Sequence, residues 1–345
     1  MSRVFVHGIG AVSSAGWGVA GFRDALAKSE ALPTQQFTRE GWPRPLLHRP
    51  VPQPATRPAF LAHTRLRRAS PISQYAVAAG IEALGADAQK VQSGQMRLGI
   101  ILCVMSGCVN YSRRFYDEAL KDPATASPLV FPETVFNAPA SHLAAVLGTT
   151  AINYTLVGDP GTFLQGLALA AEWLLAGRVD GCVVIGAEEF DWLTADAFHL
   201  FSRSIVLSAG AGAVYLRSGS CEAALAELIC VTGAENYAAG VSRAEAIGRV
   251  RRQLPAGQEN ELLCDSRLDL PRLDSAESAA WRDWPGARSS PKAILGEGLA
   301  AASAWQCLAA IDLLAQRRHS AANVSVVGCN QQAIGARFAR VDLQP

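Results

Sequence analysis

Residues 154–189, YTLVGDPGTFLQGLALAAEWLLAGRVDGCVVIGAEE, run as a strand, a tight turn at 158–162, an apolar helix and a second strand. Leu164, Leu167, Ala168, Leu169, Ala170, Ala171, Trp173, Leu174 and Leu175 leave the helix almost no polar face, and Glu172 is its only charge before Arg178. A helix that is apolar all round is a buried helix. Turns of this kind present a nucleophile at the start of a buried helix in many enzymes. Here the position to inspect is Pro160, which has no nucleophilic atom.

Composition sets the outer bounds. The 345 residues are 50% hydrophobic and 18% charged, with 31 Lys plus Arg against 30 Asp plus Glu. That is a globular chain of about one to three domains, long enough for a substantial core. A net charge of +1 with no run of like charges argues against a nucleic-acid partner. The eight cysteines (Cys103, Cys108, Cys182, Cys221, Cys230, Cys264, Cys307 and Cys329) sit mostly in apolar runs, without C-x-x-C spacing or clustered histidines. They are expected as buried free thiols in a reducing compartment. The opening MSRVFVHGIGAVSSAG is neither a secretory signal nor a membrane span, so the expected location is cytoplasmic, with organellar import left open.

Outward from the central stretch, the pattern alternates. RVFVHGIGAVS (3–13) is a buried strand entering a loop; Gly8 and Gly10 do not complete G-x-G-x-x-G because Ser13 takes the last place, so no dinucleotide cofactor is expected. Residues 32–64 hold seven prolines (Pro33, Pro43, Pro45, Pro50, Pro52, Pro54 and Pro58) among Arg39, Arg44, Arg49 and Arg57. Regular structure is improbable there, and an extended surface arm is expected. A Ser-Pro helix start at Ser70 and Pro71 leads to the apolar strand RLGIILCVMSG (97–107). Fully apolar strands alternating with helices predict a mainly parallel sheet covered on both faces. After IVLSAGAGAVYLR (205–217), a second strand and helix series runs from about Glu222 to the end. Two tandem α/β halves, 1–220 and 221–345, are expected without a fixed-period repeat.

In this order the motifs resemble the β-ketoacyl synthase family of the thiolase fold. VFVHGIGAVSSAG is similar to the family's first strand and loop, and FPETVFNAPASHLAAVLG (131–148) to the segment before the nucleophile. GRVDGCVVIGAEE resembles the strand after the nucleophile helix, and LSAGAGAVYL the strand that closes the first half. SPKAILGEGLAAASAWQCLAAI resembles the late lysine-containing loop and helix, and VSVVGCN the final turn. The resemblance implies five layers, α-β-α-β-α, with one buried helix from each half at the centre. It also implies dimers that join their sheets, and acyl carrier protein as a partner.

Family chemistry implies a cysteine thiolate at the start of the central helix and two histidines from the second half. Pro160 stands at the cysteine position, where local physics offers a structural reading: Asp159 as N-cap, Pro160 at the first helical position and Gly161 for close packing. Thr162 or Asp159 as nucleophile would need a neighbouring base. The first histidine falls at Asp265 or Ser266, the family lysine matches Lys292, and the second histidine becomes Glu297. The six histidines are His7, His48, His63, His142, His199 and His319, so only one follows residue 220. Ala209 replaces an acidic residue, Val326 an aromatic gatekeeper and Val327 a glycine. Lys292 and Glu297 are expected to pair. Asp265, Asp269, Asp274 and Glu277 lack metal-ligand spacing and are expected in a solvated acidic loop.

The reading that follows is a catalytically silent homologue that serves as a chain-length-factor-like partner of an active, Cys-containing synthase in fatty acid, polyketide or aryl polyene synthesis. Chain length factors commonly carry glutamine at the nucleophile position; this chain has proline there, and Gln165 lies further along the helix. Two alternatives stay open. One is an acyltransferase or thioester hydrolase with a rewired site, using Thr162, Asp159 or a buried cysteine. The other is a non-enzymatic module, acting alone or as a homodimer, that binds acyl chains or carrier protein.

Overall fold

The structure, a computed structural model, describes residues 3–42, 44–200, 202–219, 221–237 and 240–341. Ten strands make one hydrogen-bonded path. Five come from the first part of the chain: β1 (Val4–Ser13), β2 (Leu98–Val104), β3 (Ile152–Val157), β4 (Gly181–Glu188) and β5 (Gly210–Ser218). Five come from the second: β6 (Ala226–Val231), β7 (Leu262–Cys264), β8 (Ala287–Ser289), β9 (Ala321–Val327) and β10 (Gln332–Ala339).

The two sets have the same topology. The first is ordered β1-β5-β4-β2-β3 and the second β6-β10-β9-β7-β8. In each, the first strand runs antiparallel to the fifth and the fifth antiparallel to the fourth, while the remaining pairings are parallel. They join through a short antiparallel contact of β1 with β6, where Val4, Phe5 and Val6 face Leu228, Glu227 and Ala226.

Helices on both sides and in the middle make five layers. On the outside, α1 (Pro71–Leu84) and α2 (Ala138–Val146) cover the first set, while α4 (Arg243–Gln253) and α5 (Pro271–Ala280) cover the second. Between the sheets lie α3 (Thr162–Leu175) and α6 (Ala300–Ala315), whose Leu164, Leu167 and Trp173, and Trp305, Leu308 and Ile311, share one apolar core. The apolar pattern of α3 finds burial at Phe163, Leu164, Leu167, Ala170, Trp173 and Leu174, while Gln165, Glu172 and Leu175 form an exposed face that the sequence pattern does not predict for Leu175. Helix α6 can enter because small residues face it: a Cβ on Gly186 would sit 2.3 Å from the Ala300 carbonyl oxygen, and one on Gly212 would sit 2.7 Å from Ala304 Cβ. Its single acidic side chain, Asp312, ion-pairs with Arg23 at 2.6 Å.

The proline-rich arm is more ordered than its composition predicts. Gln35–Phe37 and Leu46–Arg49 form strands, completed into a three-stranded sheet by Leu207–Ser208. Both segments are free of proline, so no ladder donor is missing. The sheet is fastened by side chains on the segment after β4: His48 stacks on Phe190 at 4.1 Å, and the Arg39 guanidinium lies 3.5 Å over the Trp192 ring. Pro43 lies outside the described residues.

Candidate functional site

Strand β3 delivers the chain to the turn at 158–162. There the Thr162 N–H donates to the Asp159 carbonyl at 2.8 Å and the Leu164 N–H to the Gly161 carbonyl at 3.0 Å, so backbone oxygens already occupy the first helical donors. Helix α3 consequently begins without a side-chain cap, at Thr162, and Pro160 precedes it instead of occupying its first position. The expectation that Asp159 caps α3 is therefore corrected. Its carboxylate points to the other half of the molecule, where Oδ1 accepts the N–H groups of Cys329 and Asn330, both at 3.1 Å, and Oδ2 those of Gln331 and Gln332 at 3.3 and 3.2 Å. Gly161 does allow close packing, because a Cβ there would meet Ile334 Cγ2 at 2.8 Å.

A cavity of about 870 Å³ opens where the halves meet. Met105, Phe198, His199 and Ile205 line it from the first half, and Ser266, Glu277, Lys292, Glu297, Val327 and Cys329 from the second. Asp159, Pro160 and Thr162 are buried and lie outside this lining.

The charged end of the cavity is an ion pair. Lys292, in the short helix Pro291–Leu295, donates from Nζ to Glu297 Oε2 at 2.8 Å, and both side chains are almost wholly buried. Burial disfavours the ammonium, but the charge and hydrogen bond of Glu297, together with Cys329 and Glu277 nearby, outweigh it and hold Lys292 above its ordinary pKa. Glu297 Oε1 accepts the Leu299 N–H at 2.8 Å, and its backbone bonds to Val206 and Ser208 of the first half. The pairing expected from the sequence is present. The positioned groups are thus fully engaged with each other.

Of the acidic residues expected in a solvated loop, Asp269 is exposed and Asp274 half-buried, whereas Asp265 and Glu277 are buried and hydrogen-bonded. Asp265 accepts the Ser290 hydroxyl at 2.6 Å and Arg267 Nε at 2.8 Å; burial raises its pKa against those two partners, and it does not line the cavity. Ser266 Oγ donates to the Ser325 carbonyl at 3.0 Å and accepts the Val327 N–H at 2.9 Å. Asp274 and Glu277 lie on α5, where Asp274 holds the Leu268 and Leu270 N–H groups. Glu277 accepts Ser325 Oγ at 2.6 Å and the Ser266 N–H at 3.0 Å. Burial, with the nearby Asp265 charge, pushes its pKa up to about 8. Sequence spacing missed this because the enclosing walls come from α6 and β9.

Strand geometry places two further positions. Val326 points into the central core while Val327 lines the cavity, since neighbouring strand residues face opposite ways. His319 precedes β9 and Val327 ends it, so the only histidine of the second half lies roughly 20 Å of strand away from the cavity. The imidazole that does reach the cavity is His199 of the first half, whose pKa burial lowers. Cys329 is half-buried there, and burial together with Glu297 drives its thiol well above the usual range. Outside the cavity lining, the buried Glu188 side chain accepts the N–H groups of Met105, Ser106 and Gly107; burial pushes its pKa up to about 8. Among the described residues no group of three or more His, Cys, Asp and Glu could hold a metal ion, and no helix is long and apolar enough to cross a membrane.

No protein-family model and no curated protein matches the chain. Solved structures do. A β-ketoacyl synthase from Burkholderia phymatum STM815 superimposes with a TM-score of 0.84 at 18% identity, over 99% of this chain and 100% of that one. The ishigamide ketosynthase/chain length factor gives 0.76 at 18% identity, over 99% and 100%. A type II polyketide acyl-carrier protein in complex with its ketosynthase gives 0.78 at 15% identity, over 99% of each chain. The molecule therefore has the ketosynthase fold, the five-layer thiolase-like architecture expected from the order of its motifs.

Proposed function

We propose that this chain is a catalytically silent ketosynthase-fold subunit, a chain-length-factor-like partner for a Cys-containing ketosynthase that works on carrier-bound acyl chains. One observation carries the reading: the positions that would hold a thiolate and two imidazoles contain Pro160, the Asp265/Ser266 pair and Glu297, and Glu297 is neutralised by Lys292 at 2.8 Å. A decarboxylative condensation needs an activated sulfur facing bases in one space. Here Cys329 is held as a protonated thiol, and His199 is the one imidazole at the cavity. Two similar structures support the assignment of partners, one being a ketosynthase/chain length factor and the other an acyl-carrier protein bound to its ketosynthase.

The joining surface in this reading is the edge strand β3. Among the described residues it pairs only with β2, and it exposes Ile152, Tyr154 and Val157. Long exposed apolar edges require a partner. We take 1–220 and 221–345 as the two halves of the subunit and place it in the cytoplasm, where eight free cysteines stay reduced.

Purification from the native cell tests the proposal. A Cys-containing ketosynthase should co-purify, and intact mass after incubation with acyl-thioesters should show no adduct on this chain. A second reading rests on Cys329, the thiol at the cavity wall. An acyl adduct mapped to Cys329 would establish that reading and overturn the first.

A further inference from the structure

The turn at 328–332, between β9 and β10, aims four consecutive backbone N–H groups at one point, and the Asp159 carboxylate fills it with contacts of 3.1 to 3.3 Å. Convergent backbone N–H groups form an anion-binding concavity. Asp159 is 5% exposed, and these backbone dipoles, with no ion-pairing side chain among the described residues, balance its charge. The seat is tailored to an oxygen anion: a Cβ on Gly328 would lie 1.5 Å from Asp159 Oδ2.

The turn is also held from outside. Tyr237 Oη and Arg243 Nη2 donate to the Gly328 carbonyl at 2.5 and 2.9 Å, and the Gly328 N–H donates to the Gln332 carbonyl at 2.9 Å. None of these bonds involves Asp159.

We propose that the 328–332 turn is a binding cradle for a small monocarboxylate and that Asp159 is its resident internal plug. Gly328, Cys329 and Asn330 also line the cavity. While Asp159 is seated, its carboxylate consumes the donors that a ligand oxyanion arriving from the cavity would need. The plug also fastens the entrance of α3 to the second half across 170 or more residues of sequence. The inference does not depend on pairing with a ketosynthase, since it concerns donors within one chain.

Thermal melting of Asp159→Ala in sodium formate against sodium chloride at matched ionic strength tests the cradle. The variant should melt below the native chain, and formate should raise its melting temperature saturably while chloride does not. The native chain and Asp159→Asn, whose side chains still fill the seat, should melt equally in the two salts. Equal melting of Asp159→Ala in both salts overturns the proposal, as does an equal formate response in the native chain. Should Asp159→Ala fail to fold, its refolding yield from urea is compared in the two salts; a higher yield in formate supports the cradle, and equal yields refute it.

Discussion

Asp159 and Gly328 form a pair that only one arrangement satisfies, because a methyl group at 328 would occupy the place of the carboxylate oxygen. Charge-assisted hydrogen bonds lost from a buried site cost about 1.5–3 kcal/mol. Gly328→Ala should therefore lower unfolding stability in urea by about 2–3 kcal/mol in the native background, and by far less in Asp159→Ala, since the oxygen to be evicted is already gone. The Lys292–Glu297 pair behaves differently. Glu297→Leu leaves a buried ammonium unpaired and should cost about 3–5 kcal/mol, whereas adding Lys292→Met should recover much of the loss. Both differences can be measured as shifts of the urea midpoint at constant slope.

The titration of Glu277 has a definite sign. Its folded pKa, about 8, lies above that of the unfolded carboxyl, so over the interval between them the unfolded chain releases a proton that the folded chain keeps. The folded-state advantage is complete below pH 4 or so and declines as pH rises through about 8. Glu188, also raised to about 8, adds to the same decline. Glu277→Gln should flatten the fall in stability between pH 5 and pH 8 and should exceed the native chain at the alkaline end. A slope unchanged in denaturation series across that range would show that Glu277 titrates normally.

Among the elements, α6 depends on the absence of side chains opposite it. Gly186→Ala would place a methyl group 2.3 Å from the Ala300 carbonyl oxygen, a rigid backbone atom in a close-packed core. Overpacking of this kind costs about 1–3 kcal/mol, and the variant should show it as a lowered urea midpoint. Helix α3 relies on the complementary device, a broad apolar surface interrupted only at the exposed Gln165 and Glu172, which makes burial between two sheets its favourable environment. The proline-rich arm illustrates how context overrides composition. Phe190, in the segment after β4, packs on both strands of the arm through Phe37 and His48.

For the molecule as a whole, the proposed subunit role makes β3 the vulnerable surface. Tyr154, 47% exposed on that edge, packs against Trp173 at 5.0 Å between ring centroids. Replacing the exposed Ile152 and Val157 with lysine, which protects sheet edges, should leave the melting temperature near that of the native chain. It should abolish co-purification of a ketosynthase, read by size-exclusion chromatography. Retained assembly would place the interface elsewhere.

Much of this architecture follows from local pattern. The apolar circumference of residues 164–175 forces burial, the β-branched runs force strands, and the motif order leads to five layers and to Pro160. The Lys292–Glu297 pair was legible because its partners are five residues apart. Other features depended on contacts that no local period encodes. Asp159 reaches a turn 170 residues away, Glu277 is enclosed by Ser266 and Ser325, and His199 and Cys329 meet one cavity from opposite halves. Propensity and periodicity report which surface a segment must hide. Only the closed chain decides which distant donor, wall or charge it is hidden against.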